Sequence, residues 1–102
     1  MKADMLIHPG EILNEEFLVP LGLSANRLAK AIGIPTNRIT EIINGERRVT
    51  AETAILLGHA FDVSPEFWVN LQARYDLDAA NASISEESVH KADAFAQELR
   101  AG

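Results

Sequence analysis

The tripeptide Gly33-Ile34-Pro35 constrains this chain more than any other feature. Ahead of it, Ser24 and the run "ANRLAKAI" read as an N-capped helix, with Leu23 and Leu28 placed as a hydrophobic staple. A glycine at the end of such a run closes a helix through the left-handed conformation. A proline is tolerated in the first turn of the next helix but not in an interior. Pro35 or Thr36 therefore starts a second helix, which Asn44-Gly45 ends. The chain must leave one short helix and enter another within three residues, which is the spacing of a helix-turn-helix. Ile34, inside the turn, is placed to fill the apolar space between the two.

The rest of the chain is punctuated in the same way. Pro9 and Gly10 open a helix through "EILNEEFLV", with Glu11 where the helix dipole favours an acid, and Pro20 is expected to end it. Thr50 caps "AETAILLGHAF", with Val49 and Ala54 as a weak staple pair. Ser64-Pro65 starts "EFWVNLQARYDL", stapled by Val63 and Trp68. A polar, Ala-rich break, "DAANAS", is expected next. Ser83 and Glu86 then fit a capping box for a last helix ending near Leu99. No segment of five residues or more alternates with period two, so no strand is predicted. The expectation is an all-α chain: a five-helix domain over residues 1–78, then a linker and an amphipathic C-terminal helix over 79–102.

Charge singles out the helix-turn-helix. The chain carries a net −6, yet residues 24–50 hold Arg27, Lys30, Arg38, Arg47 and Arg48 against only Glu41 and Glu46. Overall acidity argues against generic binding to nucleic acid or anionic membrane, so any nucleic-acid contact must use this local patch. On the helix after the turn, Ile39, Ile42 and Ile43 form an apolar stripe. The opposite face carries Asn37, Glu41 and Asn44, flanked by Thr36, Arg38 and Thr40. These residue types suit base edges. Asn can bond adenine N6 and N7, Arg can fork onto guanine, and Thr can touch a thymine methyl or a phosphate. Glu41 would either accept from cytosine N4 or orient Arg38. Arg47 and Arg48 lie where they could reach phosphates. The N-terminus of the preceding helix, Ser24 to Arg27 with Asn26 between, offers N–H groups to another phosphate.

The order of residues resembles the phage-repressor type of helix-turn-helix, and more closely the HigA antitoxin family. The resemblance rests on "HPGEIL" at 8–13, "NRITEIINGERR" at 37–48 and "SPEFWVNLQARYDL" at 64–77, and covers residues 8 to about 78. It implies a homodimeric transcriptional repressor that binds an inverted repeat in its own operon and pairs with a small RNA-cleaving toxin. Two departures stand out. Ala25 occupies the place where such repressors often carry a phosphate-contacting Gln, so Asn26 or Arg27 would have to substitute. Pro35 replaces the usual Ser or Thr cap of the reading helix. The last helix lies outside the resemblance.

Other chemistry finds little support. There is no cysteine, which removes disulfides and thiolate metal sites. His8, His59 and His90 lack zinc-site spacing, and no phosphate loop or nucleophile motif occurs, so neither a metal, a cofactor nor an enzyme is expected. The N-terminus lacks a signal-peptide core, because Asp4, His8, Pro9 and Gly10 interrupt it, and no apolar run is long enough to span a bilayer. A cytoplasmic protein is the expectation. Phe67, Trp68, Leu71 and Tyr75 can close the core. With the resemblance, Trp68, Leu71 and Tyr75 are also candidates for a dimer face, which a two-fold operator would require. In the last helix, Val89, Ala92, Ala96 and Leu99 form a seam with Phe95 alongside. That seam would fold back on its own domain, serve as a dimer arm, or bind a toxin, whose basic surface the acidic tail would steer. Two other functions stay open: a stand-alone regulator without a toxin, and a protein-binding module that uses the helix-turn-helix only as a scaffold.

Overall fold

The computed structural model describes residues 6–102; residues 1–5, counted with the first domain, lie outside it. Every regular element described is helical. Helix α1 begins at Pro9, runs through Pro9–Ile12, widens into a π-helical stretch at Leu13–Leu18 and finishes as Val19–Leu21. Pro20 therefore does not end it. The wide turn precedes the proline, whose ring and missing N–H an unbroken α-helical ladder would not accommodate. Termination falls to Gly22, at φ +66°.

Helices α2 (Ala25–Ile32) and α3 (Thr36–Ile43) flank the tripeptide as expected. The Ser24 hydroxyl accepts from the Arg27 N–H at 3.0 Å, and Gly33 closes α2 at φ +76°. Pro35 enters α3 with no side-chain cap. Helix α4 (Ala51–Phe61) is capped by Thr50, which accepts from the Thr53 N–H at 3.3 Å.

Helix α5 starts at the Ser64 cap and runs Pro65–Ser83 without interruption. The break expected at "DAANAS" is helix. Three of the five residues from 79 to 83 are alanines, and the stretch holds neither Gly nor Pro to stop the ladder. Arg74 and Asp78 bridge one turn at 3.3 Å. The cap of α6 (Glu86–Ala101) is accordingly Ser85, accepting from the Ser88 N–H at 3.1 Å, and not Ser83, the last residue of α5.

Helices α1 to α5 enclose one core. Leu13, Leu18, Leu28, Ala29, Ile39, Ile42, Val49, Ala54, Leu57 and Trp68 are buried, with Leu23, Ile34, Val63 and Leu71 packed against them. Both members of each staple pair thus belong to the core. Phe17 anchors an aromatic cluster, 4.9 Å from Phe61 and 5.1 Å from Trp68. Helix α6 takes no part: none of its residues is buried. The unbroken α5 carries it away from the domain, so the chain measures 58 × 25 × 21 Å and has a radius of gyration of 17.8 Å. A compact chain of this length would have about 13 Å. Of the three alternatives for this helix, the structure does not show the fold-back on its own domain.

Candidate nucleic-acid interface

Helix α3 is held from behind and open in front. Ile39 and Ile42 are fully buried and Ile43 half-buried, while Asn37 and Asn44 are exposed and Thr36, Arg38, Thr40 and Glu41 half-exposed. The grip from behind is unusually close. A Cβ on Gly10 would lie 1.7 Å from the Ile42 carbonyl oxygen and 2.9 Å from Ile43 Cα, so α1 and α3 meet backbone to backbone. His8 sets the start of α1 by accepting the Gly10 N–H on Nδ1 at 2.9 Å. Its ring stands edge-on to Tyr75 of α5, with centroids 4.9 Å apart. Burial lowers the His8 pKa below its ordinary value, and the nearby Asp76 carboxylate only partly opposes this.

In front, side chains lock one another. The Thr36 hydroxyl donates to Asn26 Oδ1 at 2.8 Å, tying the start of α3 to α2 and leaving the Asn26 amide N–H groups as donors. Thr40 donates to the Asn37 carbonyl at 3.1 Å. Glu41 pairs with Arg47, Nε to Oε1 at 2.8 Å, and so orients that side chain; of its two expected roles, orienting Arg38 is not seen. Arg38 pairs with no carboxylate among the described residues. Arg38, Arg47 and Arg48 line one cleft with Thr50, Glu52 and Thr53. Ser24 and Arg27 stand exposed at the start of α2.

A buried polar relay behind this face has little sequence signal. Gln72 is 3 % exposed. Its Oε1 accepts the Val49 N–H at 2.7 Å, and its Nε2 donates to Asp76 Oδ1 at 2.9 Å. Asp76 Oδ2 in turn holds Arg48 at 3.0 Å. The loop after α3 is thereby pinned to α5. The one clue was the spacing Trp68, Gln72, Asp76, which puts two polar residues in register with a core tryptophan.

The three dimer candidates separate. Trp68 is completely enclosed by its own chain and keeps no surface for a partner, so its assignment to a shared face is corrected. Leu71 and Tyr75 are half-buried. Val69 and Leu77, on the outer side of α5, are 41 % and 54 % exposed. His59 and His90 are exposed, and no group of three His, Cys, Asp or Glu side chains converges among the described residues. No helix among those residues is long and apolar enough to cross a membrane.

Known proteins are similar to this chain in sequence and fold. A helix-turn-helix family profile matches residues 15–68. The virulence-associated protein I of Dichelobacter nodosus is 50 % identical over 74 residues, 72 % of this chain and 68 % of that protein. A solved addiction module antidote protein of the HigA family from Coxiella burnetii is 50 % identical, with TM-score 0.77, over 84 % of this chain and 92 % of that one. The Pseudomonas aeruginosa antitoxin HigA, solved with the higBA promoter, is 40 % identical with TM-score 0.80, over 83 % of this chain and 92 % of that one.

Proposed function

The chain belongs to the helix-turn-helix family and, within it, to the HigA antitoxins, and on that premise we propose that it is an antitoxin and a sequence-specific repressor of its own operon. The observation that carries this reading is the two-sided character of α3. Its isoleucines are locked into the core, while Asn37, Arg38, Thr40 and Asn44 stand on the outward side beside a cleft lined by three arginines.

In this reading Thr36, Asn37, Arg38, Thr40, Glu41 and Asn44 meet base edges and groove walls in the major groove. Thr36 and Glu41 act mainly as braces, because Asn26 and Arg47 already engage them. Ser24, Asn26, Arg27, Arg47 and Arg48 position the protein on phosphates, with Asn26 serving where Ala25 cannot. Two copies bind an inverted repeat. Their contact runs along α5 and uses Leu71 and Tyr75, together with the exposed Val69 and Leu77. The DNA-binding unit comprises the packed helices up to about residue 78. The further partner is a small basic RNA-cleaving toxin. The protein acts in the cytoplasm, with no cofactor and no catalytic activity of its own.

The test is fluorescence anisotropy of the protein against a labelled duplex from its own upstream region, beside a scrambled duplex, at two salt concentrations. A preference of about a thousandfold for the upstream duplex is expected, in the usual range of specific recognition. Equal, weak binding that vanishes with salt would refute the repressor and favour the protein-binding module.

A further inference from the structure

Helix α6 lies wholly beyond the matched family region, which ends at residue 68. Its apolar side chains have no cover: Val89 is 41 %, Phe95 59 % and Leu99 66 % exposed. We propose that α6 is a dimer arm that pairs antiparallel with α6 of a second copy.

The helix is complementary to itself when reversed, which points to a second copy. Val89, Ala92, Ala96 and Leu99 repeat at 3-4-3 spacing, the seam of a coiled coil. About a two-fold axis near residue 94, Val89 meets Leu99 of the other copy and Ala92 meets Ala96. A large residue closes each end, and small ones let the backbones approach in the middle. Phe95 lies beside the axis and meets its own counterpart across it. The first turn carries Glu86 and Glu87 and the last turn Arg100. Reversal sets Glu86 beside Arg100 at both ends and opposes the helix dipoles, whereas parallel pairing would set acid against acid and Arg100 against Arg100. At the joint of α5 and α6 a cleft opens beside Ile84 and Val89, its rim set by Asn81, Glu86, His90 and Asp93, and the incoming Leu99 rests on the two apolar side chains. The one mismatch is Asp93, which faces its own counterpart on the open rim. The arm extends the homodimeric reading to a second contact. At 16 residues it adds to a dimer held elsewhere and is too short to be its sole support.

The absence of native cysteine makes the test direct. Single-cysteine variants of the full chain are treated with a short bis-maleimide and read as covalent dimer, without DNA. F95C is expected to cross-link with itself. E86C and R100C are each expected to fail alone, since each lies roughly 20 Å from its own counterpart, and to cross-link when mixed. A94C, on the outer face, is the control. Sedimentation provides the second readout: Leu99→Asp should weaken dimerisation at least tenfold and Asp93→Asn should tighten it. Self-linking of E86C would mean a parallel arm and overturn the proposal. F95C linking no faster than A94C, with dimerisation unchanged in Leu99→Asp, would also overturn it and leave the face to another protein. Because no arm of this experiment contains operator DNA, its failure is separate from failure of the repressor reading.

Discussion

Replacing Gly10 by alanine sets two physical effects against each other, and the structure decides the sign. On propensity alone, Gly→Ala in a helix gains roughly 1 kcal/mol. The added methyl, however, would sit 1.7 Å from the Ile42 carbonyl oxygen and 2.5 Å from its carbon. These are backbone atoms of α3 and cannot rotate aside. Ordinary van der Waals contact begins at 3.4 Å, so α1 and α3 must part by well over an ångström. Overpacking of a tight core costs typically 1–3 kcal/mol; with rigid backbone as the obstacle and the packing over Ile39 and Ile42 thinned, the upper end, about 3 kcal/mol, applies. The expected net loss is about 2 kcal/mol. With a urea m-value of about 1 kcal/mol/M for a small domain, the midpoint should fall by about 2 M. DNA affinity should fall too at concentrations where the variant stays folded, because α3 is displaced from its braces. A midpoint unchanged or raised in Gly10→Ala would refute the reasoning and show that propensity governs this position.

Four further outcomes are expected. Arg38→Ala should cost about 1–3 kcal/mol on the upstream duplex and little on a scrambled one; equal loss on both would remove Arg38 from the base-reading set. Arg47→Ala should weaken binding to all sequences and flatten the salt slope by about 0.9, one phosphate's worth; an unchanged slope would mean that Arg47 only satisfies Glu41. Gln72→Ala should destabilise the fold by about 1–3 kcal/mol in chemical denaturation, because the Val49 N–H is left buried without a partner. His8 has a folded pKa below its ordinary 6.5, so the unfolded chain takes up the proton first and stability must fall as pH drops through that value. His8→Asn, which still caps but does not titrate, should lack that slope between pH 7 and 5; a retained slope would assign it to other groups.

The legible parts of this fold were those written in local chemistry. Ser24, Thr50 and Ser64 cap the helices they announce, and Gly33 turns where a left-handed residue was needed. Two sides of α3 could be told apart because the isoleucine stripe has a helical period. What escaped depended on contacts between distant segments or on cooperative context. Pro20 is tolerated because the turn before it widens to a π-helix, which no rule about proline alone foresees. Residues 78–83 are weak as an isolated helix but continue one already nucleated. Gly10 reads as a helix-start residue in the sequence and is one, but it is also a gap for the Ile42 carbonyl, 32 positions away. The partners of Glu41 and Arg48 were set by where the loop after α3 returns to α5. Charge spacing did not encode that.

The same contacts bear on what α3 can achieve in the base-reading role proposed for it. A surface that orders only on binding loses affinity to that ordering, whereas a prearranged one does not. Here the start of α3 is tied to α2 by Thr36 and Asn26, and its end is wedged against Gly10. Arg47 is already extended along Glu41 and Arg48 along Asp76. Both pairs are solvent-exposed, so each is worth little to stability. Their value is directional: a weak carboxylate partner holds an arginine in place and yields it readily to a phosphate. An acidic chain gains discrimination from this arrangement. Away from the patch its residues repel the duplex, and within the patch the pairs lower the unspecific pull of the arginines. In the proposed reading, close fit of Asn37, Arg38, Thr40 and Asn44 to a matching sequence is then what tips the balance toward a stable complex.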